Sequence, residues 1–166
     1  MKIIENKIIP FPGYKLMNIL GLVFSRVKEA LISITEKRHE QTHTYQQYEL
    51  LTIAAIVSLV FCNIYNSWWY LVGVVLCPFV IYVLGWLLEI VLPPYHNVQF
   101  GFEDGDSIIT KCRKVWSTIC KVCHDAYRDN CFEREANANE HDEDYFVTRR
   151  WCAWVWYILK RSERKK

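Results

Sequence analysis

The sequence predicts a mainly α-helical integral membrane protein: a two-span transmembrane hairpin, a small N-terminal β element and a C-terminal amphipathic helix in the membrane interface. Three observations predict it. Hydrophobic residues make up 52% of the 166 positions and aromatics 15%, with seven tryptophans gathered where apolar segments meet charged ones, the membrane-interface habit of Trp and Tyr. Two long apolar runs, LLTIAAIVSLVFC (50–62) and YLVGVVLCPFVIYVLGWLLEIVL (70–92), are separated only by NIYNSWW. Lys and Arg then segregate: seven precede the first run, thirteen follow the second, and the turn between them has none.

The chain is long enough for one domain, residues 1–166, and too short for two full cores. A net charge of +2, without a basic stripe carrying interleaved aromatics, gives no reason to expect nucleic acid. The opening MKIIENKIIPFPGYK has no apolar core of a signal peptide and no small-residue cleavage site. Seven cysteines, an odd number, fit reduced thiols facing a cytosol better than a disulfide framework.

Taken in order, residues 1–33 hold the β element. LMNILGLVFSRV, Leu16 to Val27, is apolar and β-favouring and reads as a strand, with IIENKII ahead of a PFPG turn as a possible partner. Such a strand beside an active helix can bind peptide by strand addition, or it can be packed only for stability. Ser33 and Glu36 form an S-x-x-E capping box, so a helix is expected from about Ile34 through the first span to residue 66. The second span, 69–92, carries about 23 apolar residues, or roughly 34 Å as a helix, enough for a hydrocarbon core of about 30 Å. Its one charge, Glu89, is near the end, and Pro78 and Gly85 are tolerated in membrane helices. A buried soluble hairpin is the alternative. The distribution of positive charge places both termini in the cytosol and NIYNSWW outside.

The aqueous root of the first span reads RHEQTHTYQQYELL. His39 and His43 lie one helical turn apart on one face and can take two corners of a zinc tetrahedron, with Glu40 placed as general base. His43 lies eight residues before Leu51, about 12 Å below the apolar run, at headgroup level. A third ligand is available downstream in AYRDNCFEREANANEHDED, where Glu133, Asn137 and His141 recur every four residues. Glu133 would complete the ligand set. Asn137 would hold a ligand histidine through its free ring nitrogen, and His141 would approach a substrate oxyanion. A solvated helix end at residues 37–43 and an ordinary acidic helix at 132–144 are the bland alternatives.

HEQTH followed by FEREAN resembles the membrane gluzincins of the HtpX and CAAX-prenyl-protease type, which pair H-E-x-x-H with a later Glu-x-x-Ala-Asp. The resemblance implies Zn2+, hydrolysis of a polypeptide substrate, His39, His43 and Glu133 as ligands, Glu40 as base and Ala136 as the small residue. Asn137 stands where that family has Asp. The chain is also similar to small uncharacterised bacterial membrane proteins with a PF-x-G-Y/F opening, H-E-x-x-H and AYRN-x-x-FEREA, matching Pro10 to Tyr14, His39 to His43 and Ala126 to Ala136. That resemblance implies the bacterial cytoplasmic (inner) membrane.

Residues 93–144 are expected as cytosolic helices. From Asp106 to Arg128, Cys112, Trp116, Cys120, Cys123 and Tyr127 fall near one stripe, which reads as a packed face. CKVCH, Cys120 to His124, spells the C-x-x-C-H of covalent haem attachment, but that chemistry belongs outside the cytoplasmic membrane, and a helix suits a second zinc poorly. Glu103, Asp104 and Asp106 flank glycines and read as a surface turn. In YFVTRRWCAWVWYILKRSERKK, Val147, Trp151, Trp154, Val155 and Ile158 share a side. With Arg149 and Arg150 inside it, residues 145–166 read as an interfacial helix with a basic tail on anionic lipid. The best reading is a membrane zinc peptidase. A non-catalytic membrane protein whose metal only clamps two helices is the rival, and a haem protein is more distant.

Overall fold

The computed structural model describes residues 2–10, 14–91, 100–103 and 105–160. The fold is mainly helical, with a three-stranded sheet near the N-terminus.

Strands β1 (Lys2–Glu5), β2 (Leu16–Ile19) and β3 (Leu22–Ser25) are ordered β1-β3-β2. β1 runs parallel to β3, with Ile3 opposite Val23, and β2 runs antiparallel to it, with Asn18 opposite Val23. The stretch expected as one strand from Leu16 to Val27 is therefore a hairpin. Leu20 and Gly21 turn it, both at positive φ (52° and 81°), which matches the twist of a two-residue hairpin. Leucine is a poor advertisement for such a turn, so the sequence conceals it. Gly21 is required for a second reason, because a Cβ there would lie 2.5 Å from the Tyr48 hydroxyl. The tip thus rests on a helix. Of the PFPG turn, residues 11–13 lie outside the described residues.

That helix, α1 (Ile34–Tyr65), is 32 residues long, or about 48 Å. It starts as the capping box requires: Ser33 Oγ accepts from Glu36 N, and Glu36 Oε2 accepts from Ser33 N. It ends at Asn66 in the left-handed conformation. Its two halves are built oppositely. Between Glu40 and Glu49 it buries Glu40, Thr42, His43, Thr44, Gln46 and Glu49; beyond Leu50 it exposes Ile56, Val57, Leu59, Val60, Phe61 and Ile64.

Helix α2 (Val72–Val91) returns antiparallel to α1 and passes through Pro78 unbroken. A Cβ on Gly73 would stand only 3.7 Å from Ser58 Oγ, so the pair packs closely at the upper end. α2 is apolar and exposed along its length, from Val72 through Leu76, Val80, Leu84 and Leu88 to Val91. At the hairpin tip Phe61, Tyr65 and Tyr70 stack on one another, while Trp68 and Trp69 are 77% and 83% exposed. Both Ile34–Tyr65 and Trp68–Val91 are long and apolar enough to cross a membrane.

Helix α3 (Ile108–Asp129) crosses back to α2, where the Trp86 indole donates to the Cys123 carbonyl at 3.0 Å. Its packed face differs from the expected stripe. Ala126 is buried, whereas Cys112, Trp116 and Cys120 are exposed and, of the expected stripe, Cys123 and Tyr127 are half-buried. All seven cysteines are free thiols. Within the expected surface turn, Gly105 has φ 107° and Glu103 N donates to Asp106 Oδ2, while Asp104 lies outside the described residues.

Helix α4 (Cys131–Asn139) follows at once. Its N-cap, Asn130, is fully buried: Oδ1 accepts from Phe132 N and Nδ2 donates to the Tyr82 carbonyl of α2. Gly85 makes room for it, since a Cβ there would lie 3.3 Å from Asn130 Nδ2. Phe132 anchors the small core with Leu50 and Cys131, stacked on Tyr82 and tilted against Trp154.

The C-terminal run is not one amphipathic helix. It is two short helices, α5 (Tyr145–Thr148) and α6 (Trp154–Leu159), with Arg149 turned inward between them and Cys152 at φ 53°. A buried charge pair breaks the helix. Trp154 faces the core, while Val147 and Trp151 are exposed. The basic tail, 161–166, lies outside the described residues.

Replacing Gly85 by Leu should force apart α2 and Asn130 and destabilise the fold by about 1–3 kcal/mol, the usual cost of overpacking. Thermal melting of the detergent-solubilised protein reads this, and an unchanged melting temperature would show that the α2–α4 contact is dispensable.

Candidate metal centre

Among the described residues, His39, His43 and Glu133 form the one cluster of three metal-ligating side chains, with donor atoms all within 4.8 Å of one another. The capping box fixes the start of α1 and so sets both imidazoles on the face turned towards α4. Asn130 fixes the start of α4 and delivers Glu133 three residues later.

The geometry is close. His39 Nε2 and His43 Nε2 are 3.1 Å apart, His43 Nε2 is 3.2 Å from Glu133 Oε1, and His39 Nε2 is 3.4 Å from Glu133 Oε2. Ligand bonds of about 2.0–2.1 Å in a zinc tetrahedron give edges of about 3.3–3.4 Å. Each of the three contacts is near that length, with the two histidines facing different oxygens of Glu133, and the cluster could hold a metal ion.

The outer ring nitrogens make the same point. His39 Nδ1 is 3.1 Å from Glu140 Oε2, a carboxylate that accepts. His43 Nδ1 is 2.8 Å from Gln46 Oε1. With both Nδ1 atoms donating, each Nε2 directs a lone pair inward, and the Glu133 carboxylate joins them. Three acceptors converging on one point need a cation there, a proton or a metal ion.

Glu133 is buried, its side chain 5% exposed. Burial alone would push its carboxyl up. The charge on His43 and hydrogen bonds from His39, His43 and Tyr82 outweigh it, holding the group well below the ordinary carboxylate range. It is therefore a ready ligand. The Tyr82 hydroxyl, from α2, donates to Glu133 Oε1. Tyr127, from α3, sits beside the same carboxylate; burial and the charge of Glu133 hold its phenol above the usual value, so it remains a donor. Glu40 is buried on the same stretch of α1 and lies within reach of the charges of His43, His39 and Glu133.

The other two named residues fall elsewhere. Asn137 is exposed on the far side of α4, lining a surface groove with Asp125, Arg128 and Arg134. His141 lies beyond the end of α4, its side chain 79% exposed, 3.5 Å from Glu140. The reason is helical phase. From Glu133, positions four and eight on lie about 40° and 80° round to one side, whereas positions three and seven on lie about 60° and 20° round to the other, which is the buried face. Ala136, fully buried, and Glu140 occupy that face. His124 and the cysteines of CKVCH join no such cluster among the described residues.

Sequence reasoning passed over Gln46, Tyr82, Glu135, Glu140 and Arg149. Spacing alone signalled two of them: Gln46 is three residues after His43, and Glu140 is seven after Glu133. Tyr82, Glu135 and Arg149 are brought in by tertiary packing.

Elemental analysis of the purified protein should find about one transition-metal ion per chain, lost in both His43→Ala and Glu133→Ala. Retention in either variant would remove the shared site.

The chain matches no family model, no curated protein and no solved structure.

Proposed function

We propose that this chain is a membrane-inserted zinc peptidase that hydrolyses polypeptide substrates at the cytosolic membrane surface. One observation carries the reading: three metal-ligating side chains from two helices, His39, His43 and Glu133, bring their donor atoms within 4.8 Å of one another near a buried carboxylate, Glu40. The likeness of HEQTH and FEREAN to the membrane gluzincins supports it from the sequence side.

Zinc held by these three groups would supply Lewis acidity at a carbonyl oxygen and make water a nucleophile near neutral pH. The chain's own residues then divide the work. Glu40 takes the proton from the attacking water as its oxygen bonds to the carbonyl carbon, and later gives it to the leaving amine as the carbon–nitrogen bond breaks. Glu133 stays oriented through the Tyr82 hydroxyl, and Glu140 and Gln46 hold the two imidazoles. Asn137 and His141 take no part in this scheme.

The membrane placement rests on the inversion within α1 and on the apolar face of α2. Seven cationic residues before the hairpin, thirteen after it and none in its turn support both termini in the cytosol, and the likeness to small bacterial membrane proteins supports a bacterial inner membrane. The rival reading, a metal that only clamps α1 to α4, draws on the burial of the ligands, whose side chains are 19%, 10% and 5% exposed.

Glu40→Gln separates the two readings. It should keep its zinc and lose peptide hydrolysis by about 100-fold or more, the scale of a general base, measured on a fluorogenic peptide library in detergent or nanodiscs. Equal turnover by wild type and variant, or none by either, favours the clamp. Orientation is tested separately: a C-terminal green fluorescent fusion should glow and a C-terminal alkaline phosphatase fusion should be silent, and the reverse pattern would invert the topology.

A further inference from the structure

Behind His43 a chain of polar side chains runs away from the metal centre to the C-terminal segment. Gln46 Nε2 donates to the Phe132 carbonyl and to Glu135 Oε2, both at 3.0 Å. Glu135 is fully buried, and its other oxygen accepts from the Tyr145 hydroxyl and from Arg149 Nε, both at 2.7 Å. Arg149 turns its remaining nitrogens onto the two oxygens of Glu49. Glu49 Oε1 also accepts from Cys152 N at 2.9 Å. Every link is buried or nearly so, where an unmade hydrogen bond is costly.

This chain has a direction. A carbonyl and a carboxylate both accept, so the end of Gln46 that meets them is its NH2 group, and the end that meets His43 Nδ1 at 2.8 Å is its oxygen. Nδ1 of His43 must then carry a hydrogen, so that Nε2 is the nitrogen that offers a lone pair when the ring is neutral. Were Gln46 free to flip, either tautomer would be satisfied. Glu135 prevents the flip, and Arg149 and Tyr145 hold Glu135.

We propose that Gln46 and Glu135 are positioning residues that lock His43 in its metal-binding tautomer, with Arg149 holding Glu135 in place from the C-terminal turn. The proposal rests on the metal-binding reading of His39, His43 and Glu133, and it adds that metal affinity is set in part by residues that never touch the ion. Partners of this kind typically contribute 10- to 100-fold in affinity.

The full-length protein in detergent tests it with four variants: Gln46→Leu, Gln46→Glu, Glu135→Gln and the double variant Gln46→Glu/Glu135→Gln. The double variant exchanges carboxylate for amide without changing net charge. It restores the 46–135 bond in reverse, because a glutamate at 46 accepts from His43 Nδ1 and from an amide at 135, while the Phe132 carbonyl loses its donor. Zinc affinity, by competition with a chelator, should fall about 10- to 100-fold in each single variant and recover part of that loss in the double. Losses that instead add in the double variant would indicate two independent structural effects and overturn the relay.

A second readout needs no metal. In the metal-free wild type, the His43 Nδ1–H should give a slowly exchanging nitrogen-15-coupled resonance, assigned by its absence in His43→Gln and lost in Gln46→Leu. Its persistence in Gln46→Leu would overturn the proposal. Wild type that shows this resonance but binds no zinc would keep the relay and discard the metal reading.

Discussion

The structure is organised around a helix face that is polar and buried. Between Glu40 and Glu49, α1 turns six polar or charged side chains into the protein, and each needs a partner, because an unpaired buried polar group costs about 1–3 kcal/mol. Several partners come from other elements. The sheet brings Asn18, whose amide donates to the Glu40 carbonyl at 2.6 Å and to Thr44 Oγ1 at 2.8 Å. α4 brings Glu133 to His43 and Glu135 to Gln46. The C-terminal turn brings Arg149 to Glu49. Packing in this part of the molecule is therefore largely an exercise in hydrogen-bond matching, and Leu50, Cys131 and Phe132 form only a small apolar core beneath it.

The upper half of the same helix obeys the opposite rule. Past Leu50 the outward side chains are isoleucine, valine, leucine and phenylalanine, and α2 presents the same kind of surface along its whole length. Exposed apolar area on that scale is unusual for a monomer in water. One unbroken helix thus changes from polar-inside to apolar-outside along its length, a pattern compatible with a membrane span.

Local signals were legible and tertiary ones were not. Ser33 with Glu36, the two apolar runs, and the His39–His43 pair with Glu133 could be read because capping, hydrophobic length and i,i+4 spacing are written in neighbouring residues. The turn at Leu20–Gly21 was hidden because leucine seldom takes positive φ, and the outcome depends on Tyr48 lying beneath the glycine. The exposure of Asn137 and the inward position of Glu140 depend on which side of Glu133 packs against α1, and i,i+4 spacing does not say which. The C-terminal break at Arg149 was invisible for another reason. Its cause is a pair of carboxylates, Glu49 and Glu135, that sequence places 100 and 14 residues away.

The continuity of α1 has a mechanical consequence. His39 and His43 ride on the same 32-residue rod as the apolar segment, and Asn130 and Tyr82 tie α4 to the second helix of the hairpin. The three donor atoms therefore move with the hairpin as one body. For the membrane-inserted form proposed above, a bilayer of different thickness, met by tilt or by a shift along the normal, would raise or lower the whole cluster relative to the headgroups without altering its internal spacing. Bilayer thickness would then set what the cluster meets and leave its geometry alone.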